Sequence, residues 1–333
     1  MLSNGMRISA MNRYRASLAL TFVLLLQGCT HPGLRQTLRD GVPVTAASPQ
    51  LLAVYEPWFG HPRHISVGYS SQDPVVIRKQ IDEAKNFGIF GFVVDWYGDR
   101  EPFIDRSYAL IQTIAAEKNF HVSMMYDETD YEVDEATDDA LRSFEKFHET
   151  YLSSNAPGRE AYLTYNNRPV IFIFPKGGHT DWNRVRESVN RWDAPPVLIY
   201  EDHPTPYADA LDGFYAWINP GKQGWAADGS NWGEEYLIDF YRKMPAKYPD
   251  KIAVGGVWAG FDDSKASWSL DRHMSQRCGE TFADTMKLWR EYYPSDRPLP
   301  FLLVETWNDY EEGTAIERGL AKCGSQSQPR AGQ

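Results

Sequence analysis

Short apolar runs rich in β-branched residues recur along this chain, most of them ending in acids and aromatics. Leu51–Tyr55 ends in Glu56-Pro57-Trp58-Phe59-Gly60, Ile89–Val94 in Asp95-Trp96-Tyr97-Gly98, and His121–Met125 in Tyr126-Asp127-Glu128. Val170–Phe174 runs into Pro175-Lys176-Gly177-Gly178, Pro196–Ile199 into Tyr200-Glu201-Asp202-His203, and Leu211–Ala216 into Trp217-Ile218-Asn219. Ile252–Val257 is followed by Trp258 and then Gly260-Phe261-Asp262-Asp263, and Phe301–Val304 by Glu305, Trp307, Asn308, Asp309 and Glu312. All eight have strand length and strand composition. Most are separated by helical patterns. In the first, Asp73 is placed to cap, Pro74 to occupy the first turn and Gly88 to stop the helix, with Val76, Ile77, Ile81 and Ala84 on one face. Further helices are expected at 104–118, 134–153, 182–191, 232–244 and 280–292. Alternation of this kind means parallel strands joined by crossover helices, and eight repeats close into a (β/α)8 TIM barrel. A doubly wound open sheet is the competing architecture, but no Gly-rich phosphate loop follows the first strand.

In such a barrel the C-terminal ends of the strands surround one mouth, where active sites are built. Asp95, Asp127-Glu128, Glu201-Asp202, Asp262-Asp263 and Asp309 with Glu312 all stand at such ends. Two acids three residues apart, beside an aromatic able to bind a ring, are what cleavage of a glycosidic bond requires: one carboxyl protonates the leaving oxygen while the other is base or nucleophile. The competing reading of each acid is a solvated loop. Around the pair, candidate sugar contacts are Trp58, Asp95, Trp96, Tyr126, Asp127, Glu128, Glu201, Asp202, Tyr215, Trp258, Asp263, Glu305, Trp307 and Asn308. Glu305, before the turn, is expected near the floor of the site, or as a buried acid paired with a base. Trp58, Trp96, Tyr215 and Trp258 serve equally as stacking platforms or as core. No loop has a regular calcium-ligand spacing, so neither metal nor cofactor is expected.

The N-terminus reads as a targeting segment. Arg13 and Arg15 precede an apolar run, Ala16–Leu26, with the length of a signal-peptide core. It ends Leu26-Gln27-Gly28-Cys29, which resembles a bacterial lipobox whose cysteine is acylated. The expected organisation is a signal peptide at 1–28, a tether at 29–49, a barrel at 50–320 and a disordered tail at 321–333. That places the body at a bacterial cell envelope, anchored through lipid on Cys29. Loss of Arg7, Arg13 and Arg15 with the signal takes the formal charge from −11 to −14. So acidic a body argues against nucleic acid as partner. A polysaccharide or oligosaccharide is the expected partner, and a monomer the expected state. Aromatics are 14% of the chain, with eleven Trp, which suits an aromatic-lined cleft for sugars. Cys278 and Cys323 form no zinc-like spacing, and in an oxidising periplasm they could pair.

Several motifs carry a resemblance that spans residues 51–317. Tyr55-x-Pro57-Trp58, Gly88-Ile89 leading to Asp95-Trp96-Tyr97, Asp212-Gly213-Phe214-Tyr215 and Gly260-Phe261-Asp262-Asp263 resemble those of the endo-α-mannosidase-like glycoside hydrolases of family 99. The last motif of that family reads Asn-Glu-Trp-x-Glu-Gly-Thr-x-Ile-Glu, where this chain has Asn308-Asp309-Tyr310-Glu311-Glu312-Gly313-Thr314-Ala315-Ile316-Glu317. Trp307-Asn308-Asp309-Tyr310-x-Glu312 is also similar to the Trp-Asn-Asp-Tyr-Gly-Glu pattern of the α-1,3-glucanases of family 71. The resemblance implies a barrel glycosidase acting, in endo mode, on an α-mannan or α-glucan, with Asp309 and Glu312 as the catalytic pair. Family 99 enzymes retain configuration with help from the sugar's own 2-hydroxyl. The shorter Asp309 leaves open an inverting reaction, which needs carboxyls about 6.5–9.5 Å apart. Glu312 is expected to be the acid, with a raised pKa, and Asp309 the ionised base. A non-hydrolytic glycan-binding or polysaccharide-biosynthesis component, or a barrel retained without activity, are the alternatives.

Overall fold

The computed structural model describes residues 48–220, 232–294 and 297–322. The expected signal peptide, Cys29, nearly all of the tether, Cys323 and the tail beyond it lie outside them. Cys278 is disulfide-bonded.

Eight parallel strands form the frame: β1 Gln50–Tyr55, β2 Gly91–Trp96, β3 His121–Asp127, β4 Arg168–Phe174, β5 Val197–Glu201, β6 Gly213–Tyr215, β7 Ile252–Trp258 and β8 Phe301–Glu305. Each pairs with its sequence neighbours, and β8 returns to pair with β1, Gln50 beside Phe301, so the sheet closes. The expected TIM barrel is the observed fold. Six α-helices cover it among the described residues: α1 Pro74–Phe87, α2 Pro102–Glu117, α3 Val133–Phe147, α4 Trp182–Val189, α5 Glu234–Lys247 and α6 Glu280–Leu288. Between β5 and β6 only a 3-10 turn, Ala208–Ala210, intervenes.

Local signals act where they were read. The Asp73 carboxylate accepts the Val75 N–H at 2.8 Å, and Gly88 ends α1 at φ 96°, a conformation that costs other residues energy. None of the described helices is long and apolar enough to cross a membrane.

The strands bury both faces. Leu52, Val54, Val93, Met125, Phe172, Ile199, Val254 and Leu303 fill the barrel interior. Alternate residues such as Ala53, Phe92, Met124, Ile171 and Val304 point outward to meet Ile77, Ile81, Ile111 and Phe144 of the helices. This two-sided burial is why the strands read as continuous apolar runs.

Candidate active site

Side-chain alternation decides which strand-end residue enters the mouth. Val54 faces the interior, so Glu56 follows it inward; Val93 is followed by Asp95 and Met125 by Asp127. On β5 and β8, Glu201 and Glu305 continue the inward rows of Val197 and Ile199, and of Phe301 and Leu303. Glu305 is fully buried, and its Oε2 accepts the Ile218 N–H. Gly256 leaves the space for it, since a Cβ there would lie 2.8 Å from Glu305 Oε1. Glu305 is thus turned into the barrel interior, with a backbone amide rather than a basic side chain as its partner.

Above this layer opens a cavity of about 580 Å3. Glu56, Asp95, Asp127, Asp309 and Glu312 reach it, together with Trp58, Tyr97, Phe174, Lys176, Trp217 and Trp268. The turn after β8 is built around Asp309. Its Oδ1 accepts the N–H groups of Glu311 at 2.8 Å and Glu312 at 2.9 Å, and its own N–H donates to the Thr306 hydroxyl at 2.7 Å. Glu311 ties this turn to the β1 loop, through His64 Nδ1 at 2.7 Å and the Ile65 N–H at 3.1 Å. Asn308, also on the turn, holds the main chain of Glu56 from both sides.

Crowding of carboxyls in a dry site shapes their ionisation. Burial raises Asp309 to about 8, and the charge of Glu312 adds to the effect against the two backbone N–H groups. Burial also raises Glu312, while the Trp268 indole N–H, 2.9 Å from its Oε1, and Arg272 pull it back. Asp309 is thus not set apart from Glu312 as the expected ionised partner: both acids are raised by burial, and Asp309 is the more buried. Burial, then Asp95, Asp309, Glu312 and Asp127, hold Glu56 well above the usual carboxylate range. Asp95 is raised by burial and Asp127; Lys176, 2.9 Å from Asp127, opposes this.

Trp268 is delivered by a loop that Asp263 organises. The Asp263 carboxylate accepts from the Ser269 hydroxyl at 2.9 Å, the Leu270 N–H at 3.0 Å, and the Arg272 N–H and guanidinium at 2.9 and 2.7 Å. Burial opposes its charge, but these donors outweigh it and hold it at about 2. Asp263 is therefore a loop anchor rather than a sugar contact.

Of the expected site residues, Trp58, Asp95, Asp127, Asp309 and Glu312 line the cavity, while Asp202 pairs with Lys243. Trp58 stacks on His64 with centroids 4.7 Å apart. Others are placed elsewhere. Trp96 and Tyr126 fall on outward positions and bond to Asp105 on α2 and Asp139 on α3. Glu128 accepts from the N–H groups of Lys176, Gly178 and Thr180, fixing the loop after β4. Tyr215 lies inside the barrel with its hydroxyl on the Ile173 carbonyl, Trp258 donates to the Trp232 carbonyl, and Trp307 packs on Phe92 in the core. Glu201 faces the interior beneath the cavity, where burial and then Asp202 raise it to about 8. Asn308 acts on the Glu56 main chain.

Glu56, Tyr97, Lys176, Trp217 and Trp268 were not among the expected contacts. Period-two counting from Leu52 and Val54 would have found Glu56, and the same count from Val93 favours Asp95 over Trp96. Trp268 sits in a stretch with no periodic signal. Among the described residues no group of His, Cys, Asp or Glu is arranged to hold a metal ion.

No family model matches the chain. It is 20% identical, over 272 residues, to a human glycoprotein endo-alpha-1,2-mannosidase-like protein, covering 76% of this chain and 56% of that one. The chain thus spans little more than half the length of that relative. The fold is similar to a GH99 endo-alpha-mannosidase from Bacteroides thetaiotaomicron, with a TM-score of 0.61, 18% identity and coverage of 84% of this chain and 90% of that one. It is also similar to a glycoside hydrolase-like protein, with a TM-score of 0.56, 13% identity and the same two coverages. The chain is GH99-like in its barrel.

Proposed function

We propose that this chain is a glycoside hydrolase that cleaves α-linked glycans, of α-mannan or α-glucan type, by carboxylate acid–base catalysis. One observation carries the reading: Asp309 and Glu312 stand on a single turn at the barrel mouth, both with raised pKa, inside an aromatic-walled cavity. Trp217 and Trp268, rather than the core tryptophans, are the candidate stacking surfaces for sugar rings. Glu312 protonates the departing oxygen, and a second carboxylate takes the proton of the attacking hydroxyl. The endo mode rests on the resemblance to family 99 and the likeness to endo-mannosidases. Acylation of Cys29 would hold the enzyme at a bacterial envelope, facing polysaccharide.

Release of reducing ends from α-mannans, α-1,3-glucans and bacterial capsular glycans tests this reading. The wild type should hydrolyse at least one, and Glu312→Gln should lose at least ~10² in rate, the usual scale for a positioned acid. Binding of such a glycan without hydrolysis would support a non-hydrolytic component instead.

A further inference from the structure

Asp309 is poorly placed to act alone as the proton acceptor. One of its oxygens is committed to two backbone N–H groups, and those bonds shape the turn that carries Glu312. Glu56 presents the opposite situation. It is 4% exposed, it lines the same cavity, and its Oε2 has no hydrogen-bond partner. A buried carboxylate oxygen left without a donor is costly, and such a group calls for a ligand that supplies one. Asp95 Oδ1 is also unpartnered, but Asp95 is engaged by Tyr97 and lies in the field of Asp127 and Lys176. Glu56 lies in the field of Asp309 and Glu312.

The backbone of Glu56 is fixed as a catalytic residue's would be. Asn308, the residue before Asp309, accepts its N–H at 2.8 Å and donates to its carbonyl at 2.9 Å. The end of β1 and the turn after β8 are thereby one rigid unit, and the Glu56 carboxyl is held over the same space as Glu312.

Resting on the hydrolase reading, we propose that Glu56 is a third catalytic carboxylate, the one that accepts the proton of the attacking hydroxyl, while Asp309 is the positioning residue that shapes the turn. In its ionised form, whose population the low-pH limb of the rate profile reports, Glu56 takes a proton at Oε2 from water or from a sugar hydroxyl as that oxygen bonds to the anomeric carbon. The bond from that carbon to the leaving oxygen breaks, its electron pair stays on the oxygen, and Glu312 supplies the proton. With a sugar hydroxyl as nucleophile, water then attacks the anomeric carbon and gives its proton to Glu312, the carbon–oxygen bond formed in the first step breaks, and Glu56 returns its proton to the sugar oxygen. Asp95, Asp127, Asp309 and Glu312 face Glu56 from the other elements, with Lys176 paired to Asp127, so its ionisation is set by the whole group.

The test compares wild type, Glu56→Gln and Glu56→Ala on α-mannan and α-1,3-glucan, with thermal unfolding as the folding control. In Glu56→Gln, kcat should fall by at least ~10² with KM little changed, and the low-pH limb of the rate profile should disappear. Added formate should restore part of the kcat of Glu56→Ala, since a small carboxylate can enter the space vacated. A Glu56→Gln variant with near-wild-type kcat overturns the proposal, as does a folded Glu56→Ala variant that formate leaves unchanged. A wild type inert on both polysaccharides and on capsular glycans would instead overturn the hydrolase reading, and this inference with it.

Discussion

The side-chain amide of Asn308 closes a ring with the main chain of Glu56, Oδ1 accepting its N–H at 2.8 Å and Nδ2 donating to its carbonyl at 2.9 Å. Both residues are buried, and they lie at the ends of the strands where the barrel closes. The reaction chemistry and the closure of the fold thus share two hydrogen bonds.

Asn308→Ala should therefore weaken folding and catalysis together. Leaving the Glu56 N–H and carbonyl unsatisfied in a dry site costs about 1–3 kcal/mol. Urea unfolding reads the first effect, and kcat on the hydrolysed glycan reads the second. Asn308→Asp, which keeps the acceptor but loses the donor, should fall below wild type in both. Unchanged stability in Asn308→Ala would show that the ring carries no energy.

Stability should fall as pH rises through neutrality. Burial takes Asp309 from 3.8 to about 8 and Glu201 from 4.5 to about 8. For a group whose folded pKa lies above its unfolded value, the stabilisation is complete below the unfolded value and is lost as pH rises through the folded one. The window therefore runs from about 4 to about 8. Denaturant unfolding at intervals across it should show a declining free energy, and Asp309→Asn should flatten the decline. A flat wild-type profile would contradict the burial argument.

Trp268 tunes Glu312. Burial raises the Glu312 pKa, and the indole N–H bond lowers it by favouring the carboxylate. Trp268→Phe keeps the ring and removes the donor, so Glu312 should stay protonated to higher pH. The alkaline limb of kcat/KM should move upward, which a pH–rate series on the hydrolysed glycan will detect. An alkaline limb that stays in place would separate Glu312 from the titrating acid.

Fold and site were legible to different degrees, for a physical reason. Strands buried on both faces leave long apolar runs, so all eight were readable, and Asp73, Pro74 and Gly88 marked α1 through backbone chemistry local to them. The site depends on which of two adjacent strand-end residues turns inward. Asp95 and Trp96 illustrate this: both looked like sugar contacts, yet one lines the cavity and the other bonds to α2. Alternation could have separated them, and would have promoted Glu56. Glu128 and Asp263 were misread because acids that organise loops and acids that bind sugars look alike in sequence. Trp268 depends on the tertiary course of its loop, which leaves no periodic trace.

The inward carboxylates have a consequence for which polymers can enter. Arg63 is paired with Glu101 and Lys176 with Asp127, and Arg272 reaches Glu312 only at 3.9 Å, so acids outnumber cations at the mouth. A glycan carrying uronate, sulfate or phosphate groups would bring negative charge beside carboxyls already raised by burial and by one another, and would oppose their ionisation further. The mouth should therefore admit neutral or amine-bearing chains more readily than acidic polymers, and increasingly so as rising pH ionises the raised carboxyls.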